Sequence, residues 1–415
     1  MGATIHPVSK GTQVVPPETP SRRSTTRPAL CCPRPNCRAA LEPRGVGGRL
    51  TLVCGACGEV YPALADELPV LAPQPSRHLA AEAIRLRRDL SWFQQQRGLL
   101  AAGARRFPRR SPTQERIRVA MERTSDCFAE ILATMVSRLD PAAIVEVAAQ
   151  PQSDTGAYGA RRICSLLRRD FGGEPEGEEE VGTLARAVHA ELAANQRAGD
   201  PILVIGCGAG RLAEELAATG RAVTAVDLSA VLLSAALLLR TRSLDLCDVQ
   251  TRNAREAARQ AEAFVASYRP RPTSATASAT ADVARVRYAV ADATAMPFQD
   301  ESWPVIVSVF FTDVVPLSKL LPEVWRVLEP RGHFIHVGPL GYHFDDPAEH
   351  LAADELLDAF QFGGFEVGPT RWLPTTYQRT PGSLCVSTFD NLAFSARKTR
   401  RQLRVEPPSP PFARA

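Results

Sequence analysis

Lysine is nearly missing from this 415-residue chain. It occurs only at Lys10, Lys319 and Lys398, so nearly all of the 49 basic residues are arginine. The arginines are spread along the chain, which reads as a coding bias. Against 45 acids they leave a formal net charge of +4, too small by itself to announce a nucleic-acid binder. Long apolar runs are lacking as well. None approaches the roughly 20 residues needed to span a bilayer, so no membrane partner is expected. The stretch "MGATIHPVSKGTQVVPPETPSRRSTTRP" holds no secretory apolar core. It starts Met-Gly, but position 6 is His6 rather than Ser or Thr, so the myristoylation pattern fails. A soluble cytoplasmic protein is expected. Cysteine is sparse, at ten residues, and four of the ten have metal-ligand spacing. That argues for reduced thiols and against a disulfide framework.

What is present suffices for a sizeable core, at 45% hydrophobic residues, and the length allows two or three domains. Residues 1–28 are rich in Pro, Ser, Thr and Arg and read as a disordered tail. Residues 29–72 form a compact cysteine-bearing unit. A helical segment spans 76–196. In it "SRHLAAEAIRLRRDLSWFQQQRGLLAAGARRF" and "SPTQERIRVAMERTSDCFAEILATMVSRL" carry apolar residues at helical spacing. "FGGEPEGEEE" (171–180) reads as an acidic loop, followed by a helix over 181–196.

From residue 201 strands and helices alternate. "PILVIG", "AVTAVD", "VRYAVAD", "VIVSVFF" and "HFIHVGP" read as strands, as do segments near 364–369 and 384–396. Such alternation implies an α/β domain, 200–398, with a mostly parallel sheet and helices on both faces. "SYRPRPTSATASATAD" (267–282) is low in complexity and reads as a flexible insertion, and 399–415 as a tail.

"CCPRPNC" and "CGAC" supply Cys31, Cys32, Cys37, Cys54 and Cys57. Zinc takes four soft ligands in a tetrahedron, commonly as two tight pairs on two turns. Cys54 and Cys57 make one pair, Cys32 and Cys37 the other, and Cys31 is spare. The segment resembles small zinc ribbons of the pattern C-P-x-C, C-x-x-C-G, Tyr-Pro, Pro-Val-Leu, whose second half "CGEVYPALADELPVLAP" keeps. The first half is two residues longer than that pattern, so the choice between Cys31 and Cys32 stays open. A unit this small needs a metal or a docking partner to hold its shape.

"PILVIGCGAGRLAEELAATGRAVTAVDLS" places Gly206, Gly208 and Gly210 between a buried strand and a helix, where glycine lets a ligand approach the backbone. Asp227 closes the next strand, where an acid accepts hydrogen bonds from ribose hydroxyls. The dinucleotide fingerprint is G-x-G-x-x-G, whereas this loop is G-x-G-x-G. That tighter spacing resembles the class I S-adenosylmethionine-dependent methyltransferases. "VRYAVADATAMPF" resembles their third strand and acidic turn, and "LPEVWRVLEPRGHFIHVGPL" their helix, Pro-x-Gly turn and fifth strand. The resemblance implies a Rossmann-like, seven-stranded, mostly parallel sheet. It implies a cofactor site made by Gly206, Gly208, Gly210, Arg211, Asp227, Leu228, Asp292, Ala293 and Phe310.

"VFFTDVVPLSKLLPEVWRVLEPRGHFIHVGPLGYHFDD" resembles the carnosine N-methyltransferase family, with Phe-Phe-x-Asp after the fourth strand and Tyr-His after the fifth. The likeness runs over roughly 200–398. It implies that Asp313 and His343 are catalytic and that Phe311, Asp313, Tyr342 and His343 bind an imidazole-containing acceptor. Where that family closes its second strand with Glu, this chain has Asp227. The family's tyrosines near the C-terminal strand are replaced by Ser387 and Phe389. A small imidazole- or amine-bearing metabolite is the expected acceptor, S-adenosylmethionine the cofactor and zinc a structural ion.

Bland roles stand beside these. His343 also suits a loop cap, Cys207 a small filler, Trp303 and Trp325 the core, and His333 and His336 structural positions. The arginines at 105–110 and 161–169 read as solvated helix faces. Two rival functions share the pattern: an RNA base methyltransferase with an N-terminal zinc ribbon, and a methyltransferase-fold partner protein without turnover. The first would need aromatic stacking platforms, and none stands out.

Overall fold

The computed structural model describes residues 27–46, 49–103, 106–149, 159–195, 197, 199–268 and 286–399. The expected tail up to residue 26, the insertion beyond Tyr268 and the tail beyond Thr399 lie outside the described residues. The chain opens with an antiparallel meander, β1 (Leu41–Val46), β2 (Arg49–Cys54), β3 (Val60–Leu64) and β4 (Leu68–Leu71). Five helices follow: α1 (Pro75–Gly103), α2 (Ser111–Val136), α3 (Pro141–Ala148), α4 (Ala160–Phe171) and α5 (Pro175–Ala194). The alternating part comprises β5 (Ile202–Ile205), α6 (Arg211–Ala217), β6 (Val223–Asp227), α7 (Ala230–Thr241), β7 (Leu244–Val249), β8 (Ala261–Ala266), β9 (Arg287–Ala291), β10 (Trp303–Val309), α8 (Leu317–Val327), β11 (Leu328–Gly338), α9 (Ala353–Phe362), β12 (Phe365–Val367), β13 (Arg371–Tyr377) and β14 (Ser387–Lys398). No helix among the described residues is long and apolar enough to cross a membrane.

One 12-stranded sheet runs β1-β2-β3-β4-β9-β6-β5-β10-β11-β14-β12, with β13 paired to β14. Its central part, from β9 to β12, is the seven-stranded unit expected. The strands from β9 to β11 are parallel, and β14 lies antiparallel to β11. Alternate residues of each strand enter different cores, as the pleat requires. Ile202 and Val204 face the core under α1, α2 and α4–α7, whereas Leu203 and Ile205 face the core under α8 and α9.

The structure extends or corrects the sequence expectation in four places. The cysteine unit, too small to stand alone, docks on the sheet, because β4 pairs in parallel with β9 (Leu71 opposite Ala291) and carries the meander onto it. The pairing covers an edge that would otherwise bare its backbone N–H and C=O groups. The acidic stretch 171–180 is not a loop: α5 begins at Pro175, with Glu176 and Glu178 in its first turn. Proline at the first helical position and acids at the positive end of the helix dipole favour that start. A separate hairpin, β7–β8, fills the chain between α7 and the undescribed insertion. Finally, β13 adds a strand that its Pro374 and mixed polarity concealed.

Candidate functional site

Strand order reverses between β5 and β10, and ligands of open α/β sheets bind at the carboxyl edge of such a switch point. A cavity of about 400 Å³ lies there. Its floor is the glycine loop after β5. Gly206, Gly208 and Gly210 all hold positive φ, at 61°, 58° and 87°. A Cβ on Gly206 would lie 2.1 Å from the Phe311 ring, and one on Gly210 would lie 2.0 Å from the Tyr288 hydroxyl. Above Gly208 the space is open. Two neighbours therefore need glycine for close packing, and the middle one leaves room for a ligand.

Asp227 ends β6 and ties this loop down. Its Oδ2 accepts the Gly208 N–H at 2.8 Å and its Oδ1 the Ser229 N–H at 2.8 Å. Burial pushes its carboxyl up to about 6, against the pull of these two N–H groups. Ser229 in turn caps α7, its Oγ accepting the Leu232 N–H. Leu228 lines the cavity and its carbonyl accepts Nε2–H of His78 at 2.8 Å. Asp292 and Ala293 line the side below β9. One Asp292 oxygen closes an Asx turn on Thr294, from N–H at 2.8 Å and Oγ–H at 2.7 Å. Arg211 is in the wall too, but its guanidinium is engaged with Glu178 at 2.9 Å and Glu215 at 2.7 Å.

The wall after β10 is aromatic. Phe310 and Phe311 both line the cavity. Phe310 sits at φ 54°, uncommon for a bulky residue, and its N–H donates to Val337 C=O at 3.0 Å. Its ring stacks on Tyr377, and Phe389 packs edge-on against both.

The remaining expected site residues, Asp313, Tyr342 and His343, are not among those that line this cavity. Asp313 is 3% exposed, at the turn after β10, but it does not line the cavity, whereas Val314 and Val315 next to it do. Its Oδ2 accepts the Gly341 N–H at 3.0 Å, and its backbone carbonyl accepts the His343 N–H at 2.9 Å. Burial raises the Asp313 carboxyl above its ordinary value, with the Gly341 N–H opposing. His343 is exposed, and no hydrogen bond joins its ring to Asp313. The Tyr342 hydroxyl donates to Leu351 C=O at 2.6 Å, and its ring stacks on His350.

Sequence reasoning missed the helical walls. His78, Ala81, Glu82 and Arg85 of α1, Arg169 and Asp170 of α4, and Val181 and Leu184 of α5 all line the cavity, as does Tyr377. Of the arginines in 161–169, Arg161 is exposed as expected, but Arg168 and Arg169 are not solvated. Arg168 is 5% exposed and pairs with Glu174, Asp248 and Glu262. Arg169 pairs with Asp170 at 2.6 Å and Glu180 at 3.3 Å. The signal was the acidic run "GEPEGEEE" directly after them, a supply of partners.

At the far edge of the sheet the Sγ atoms of Cys32, Cys37, Cys54 and Cys57 lie within 4.8 Å of one another, and Cys31 stands outside the cluster. Two of the gaps are 3.7 Å (Cys32 to Cys57) and 3.3 Å (Cys37 to Cys54). A tetrahedral zinc with four thiolates at its usual bond length needs about 3.8 Å between sulfurs, so the donor set fits. The same unit grips the turn that carries Asp292. Cys31 N–H donates to Pro297 C=O at 2.8 Å, and Arg38 Nη1 donates to Met296 C=O at 2.7 Å. Glu323 accepts the Met296 N–H at 2.6 Å and pairs with Arg38.

The family model of carnosine N-methyltransferase matches residues 159–400, more than half of the chain. The chain belongs to the carnosine N-methyltransferase family. It is thus an S-adenosylmethionine-dependent methyltransferase, and its amino-terminal four-cysteine unit and α1–α3 precede the family's part. No curated protein matches it. Among solved structures it is similar to a methyltransferase of Methanosarcina mazei at 20% identity, over 48% of this chain and 92% of that one, with a TM-score of 0.32. Magnesium protoporphyrin IX methyltransferase from Synechocystis is 13% identical over 57% of this chain and 90% of its own, with a TM-score of 0.33. Phosphoethanolamine N-methyltransferase 2 of Haemonchus contortus is 17% identical over 51% of this chain and 53% of its own, with a TM-score of 0.31.

Proposed function

We propose that this enzyme methylates a ring or amine nitrogen of a small imidazole- or amine-bearing metabolite. The observation that carries the reading is Asp313. It is a buried carboxylate with one hydrogen-bond donor from another residue, at the carboxyl edge of β10 and next to the wall residues Val314 and Val315. A buried carboxylate so sparsely paired keeps acceptor capacity for a ligand N–H.

S-adenosylmethionine supplies an electrophilic methyl on its sulfonium. The glycine loop, Asp227, Leu228, Asp292 and Ala293 are the residues that would hold it. The open space above Gly208 and the size of the cavity fit it. Arg169 and Asp170, paired with each other in the cavity wall, would lie near its amino-acid end. They adjoin the loop, since Arg211, at the start of α6, donates to the Asp170 carbonyl.

Phe310 and Tyr377, stacked on each other, form the aromatic side of the cavity that a planar acceptor would meet. Asp313 would take the N–H of a neutral imidazole, fixing the tautomer so that the other nitrogen keeps its lone pair. It would also stabilise the positive charge that grows on the ring. A free imidazole has a pKa near 6.5 and needs no strong base at neutral pH, so positioning and exclusion of water do most of the work. Leu166, Val181 and Leu184 make the apolar side of that enclosure. His343 would close the acceptor site from its loop.

We read the four thiols as a structural zinc site. A thiolate zinc site suits a reducing compartment, which supports a cytoplasmic location. The ion pairing of Arg168 and Arg169 leaves α4 a poor phosphate footprint, which favours a small acceptor over RNA.

The test is labelled S-adenosylmethionine with carnosine, histamine, histidine and simple amines, beside RNA. Label on a small molecule, cut at least about 10-fold by Asp313→Asn, supports the reading. Label on RNA alone, or full activity in Asp313→Asn, rejects it.

A further inference from the structure

Helix α1 lies outside the residues matched by the family model, yet it brings an acid to the cofactor cavity. Glu82 is 6% exposed and lines the cavity on the side of Asp227. Its Oε1 is held by Arg85 at 2.5 Å. Among the described residues its Oε2 has two hydrogen-bond partners, Ser229 Oγ and Val231 N, both at 3.4 Å. Those are longer than well-made hydrogen bonds, and a buried carboxylate oxygen so placed is under-paired.

We propose that Glu82 is a second ribose-binding carboxylate, taking one hydroxyl of the cofactor's ribose while Asp227 takes the other. This rests on the cofactor site described above. Both Asp227 oxygens already hold backbone N–H groups, of Gly208 and Ser229, so that acid is engaged in shaping the loop. Glu82 approaches the same space from α1. The two acids meet at one residue, since Ser229 gives its N–H to Asp227 and its hydroxyl to Glu82. A vicinal diol offers two O–H donors, and two converging carboxylates accept one each. Capping of α7 falls mainly to Ser229 Oγ, which takes the Leu232 N–H at 3.2 Å, whereas Glu82 adds only a long contact to the Val231 N–H at 3.4 Å.

The test measures binding of S-adenosylhomocysteine and of its 2′-deoxy and 3′-deoxy forms by calorimetry. It uses the full chain and the variants Glu82→Gln, Glu82→Asp and Asp227→Asn. Glu82→Gln is expected to lose on the order of 10-fold in affinity for S-adenosylhomocysteine. It should lose nothing for the deoxy form that lacks the hydroxyl it holds, and Glu82→Asp should show the same selectivity. Asp227→Asn should be blind to the other hydroxyl. Unchanged binding in Glu82→Gln, or an equal loss for all three ligands, overturns the assignment and leaves the cofactor site standing. Failure of the unsubstituted chain to bind S-adenosylhomocysteine overturns both.

Discussion

Phe310 stacks on Tyr377, their ring centroids 5.2 Å apart and their planes 15° from parallel. The stack joins the end of β10 to β13, and it holds Phe310 in a left-handed backbone conformation that costs roughly 1–3 kcal/mol. Arg162 anchors the tyrosine by donating to its hydroxyl at 2.7 Å. Tyr377→Ala should therefore raise KM for the acceptor about 10-fold, as expected for loss of an aromatic contact, with little change in S-adenosylhomocysteine affinity. Tyr377→Phe keeps the ring and should lie close to the unsubstituted enzyme. Steady-state kinetics at saturating cofactor separate the two.

The cysteine unit and the cofactor turn are tied by Cys31 to Pro297, Arg38 to Met296, and β4 to β9. A metal that holds Cys32, Cys37, Cys54 and Cys57 together would hold Arg38, which follows Cys37, in place. Purified protein should contain one zinc per chain by elemental analysis. Chelation, or Cys54→Ser, should speed amide exchange over residues 292–298 and weaken S-adenosylhomocysteine binding several-fold. Metal-free protein with unchanged exchange there would show that the turn stands alone.

Much of this was legible in the sequence, for reasons that differ by element. The strand from Ile202 to Ile205, the three glycines and Asp227 are local features, and their spacing alone implied the sheet edge and the loop. The four sulfurs were legible because their separation along the chain is short. The walls were not legible. Glu82, Arg169 and Tyr377 reach the cavity from α1, α4 and β13, and which face of a helix meets which strand is settled by packing over long sequence separation. Arg168 and Arg169 misled because exposure is the usual state of arginine. Their partners Asp248 and Glu262 sit on a hairpin that the sequence did not announce.

Arg168 gives that misreading a consequence that can be measured. It is buried among Glu174, Asp248 and Glu262, so removing its charge strands three carboxylates around one site. Arg168→Met should lower stability by about 3–5 kcal/mol, read as a shift of the denaturation midpoint. Arg118, on the exposed face of α2 with Glu115 and Glu122, is the control. Arg118→Met should change stability by less than about 1 kcal/mol.

Asp227 sets a pH dependence whose sign follows from its environment. Burial holds its carboxyl at about 6, above the ordinary value, with the Glu82 carboxylate also pushing it up and the N–H groups of Ser229, Gly208 and Leu228 pulling it down. The folded chain thus binds this proton more tightly than the unfolded chain. The group's contribution to stability is greatest at the acid end and falls as pH rises through roughly 4 to 6. Cofactor binding runs the other way, because ribose hydroxyls donate to the ionised form. Affinity for S-adenosylhomocysteine should weaken about 10-fold between pH 7 and pH 5, as the ionised fraction drops to about a tenth. Asp227→Asn should bind weakly and without that slope. Glu82→Gln removes the like charge, so its slope should keep its shape with the midpoint moved to lower pH. Calorimetric titrations across this range check all three curves, and a flat profile in the unsubstituted enzyme would remove Asp227 from the ribose site.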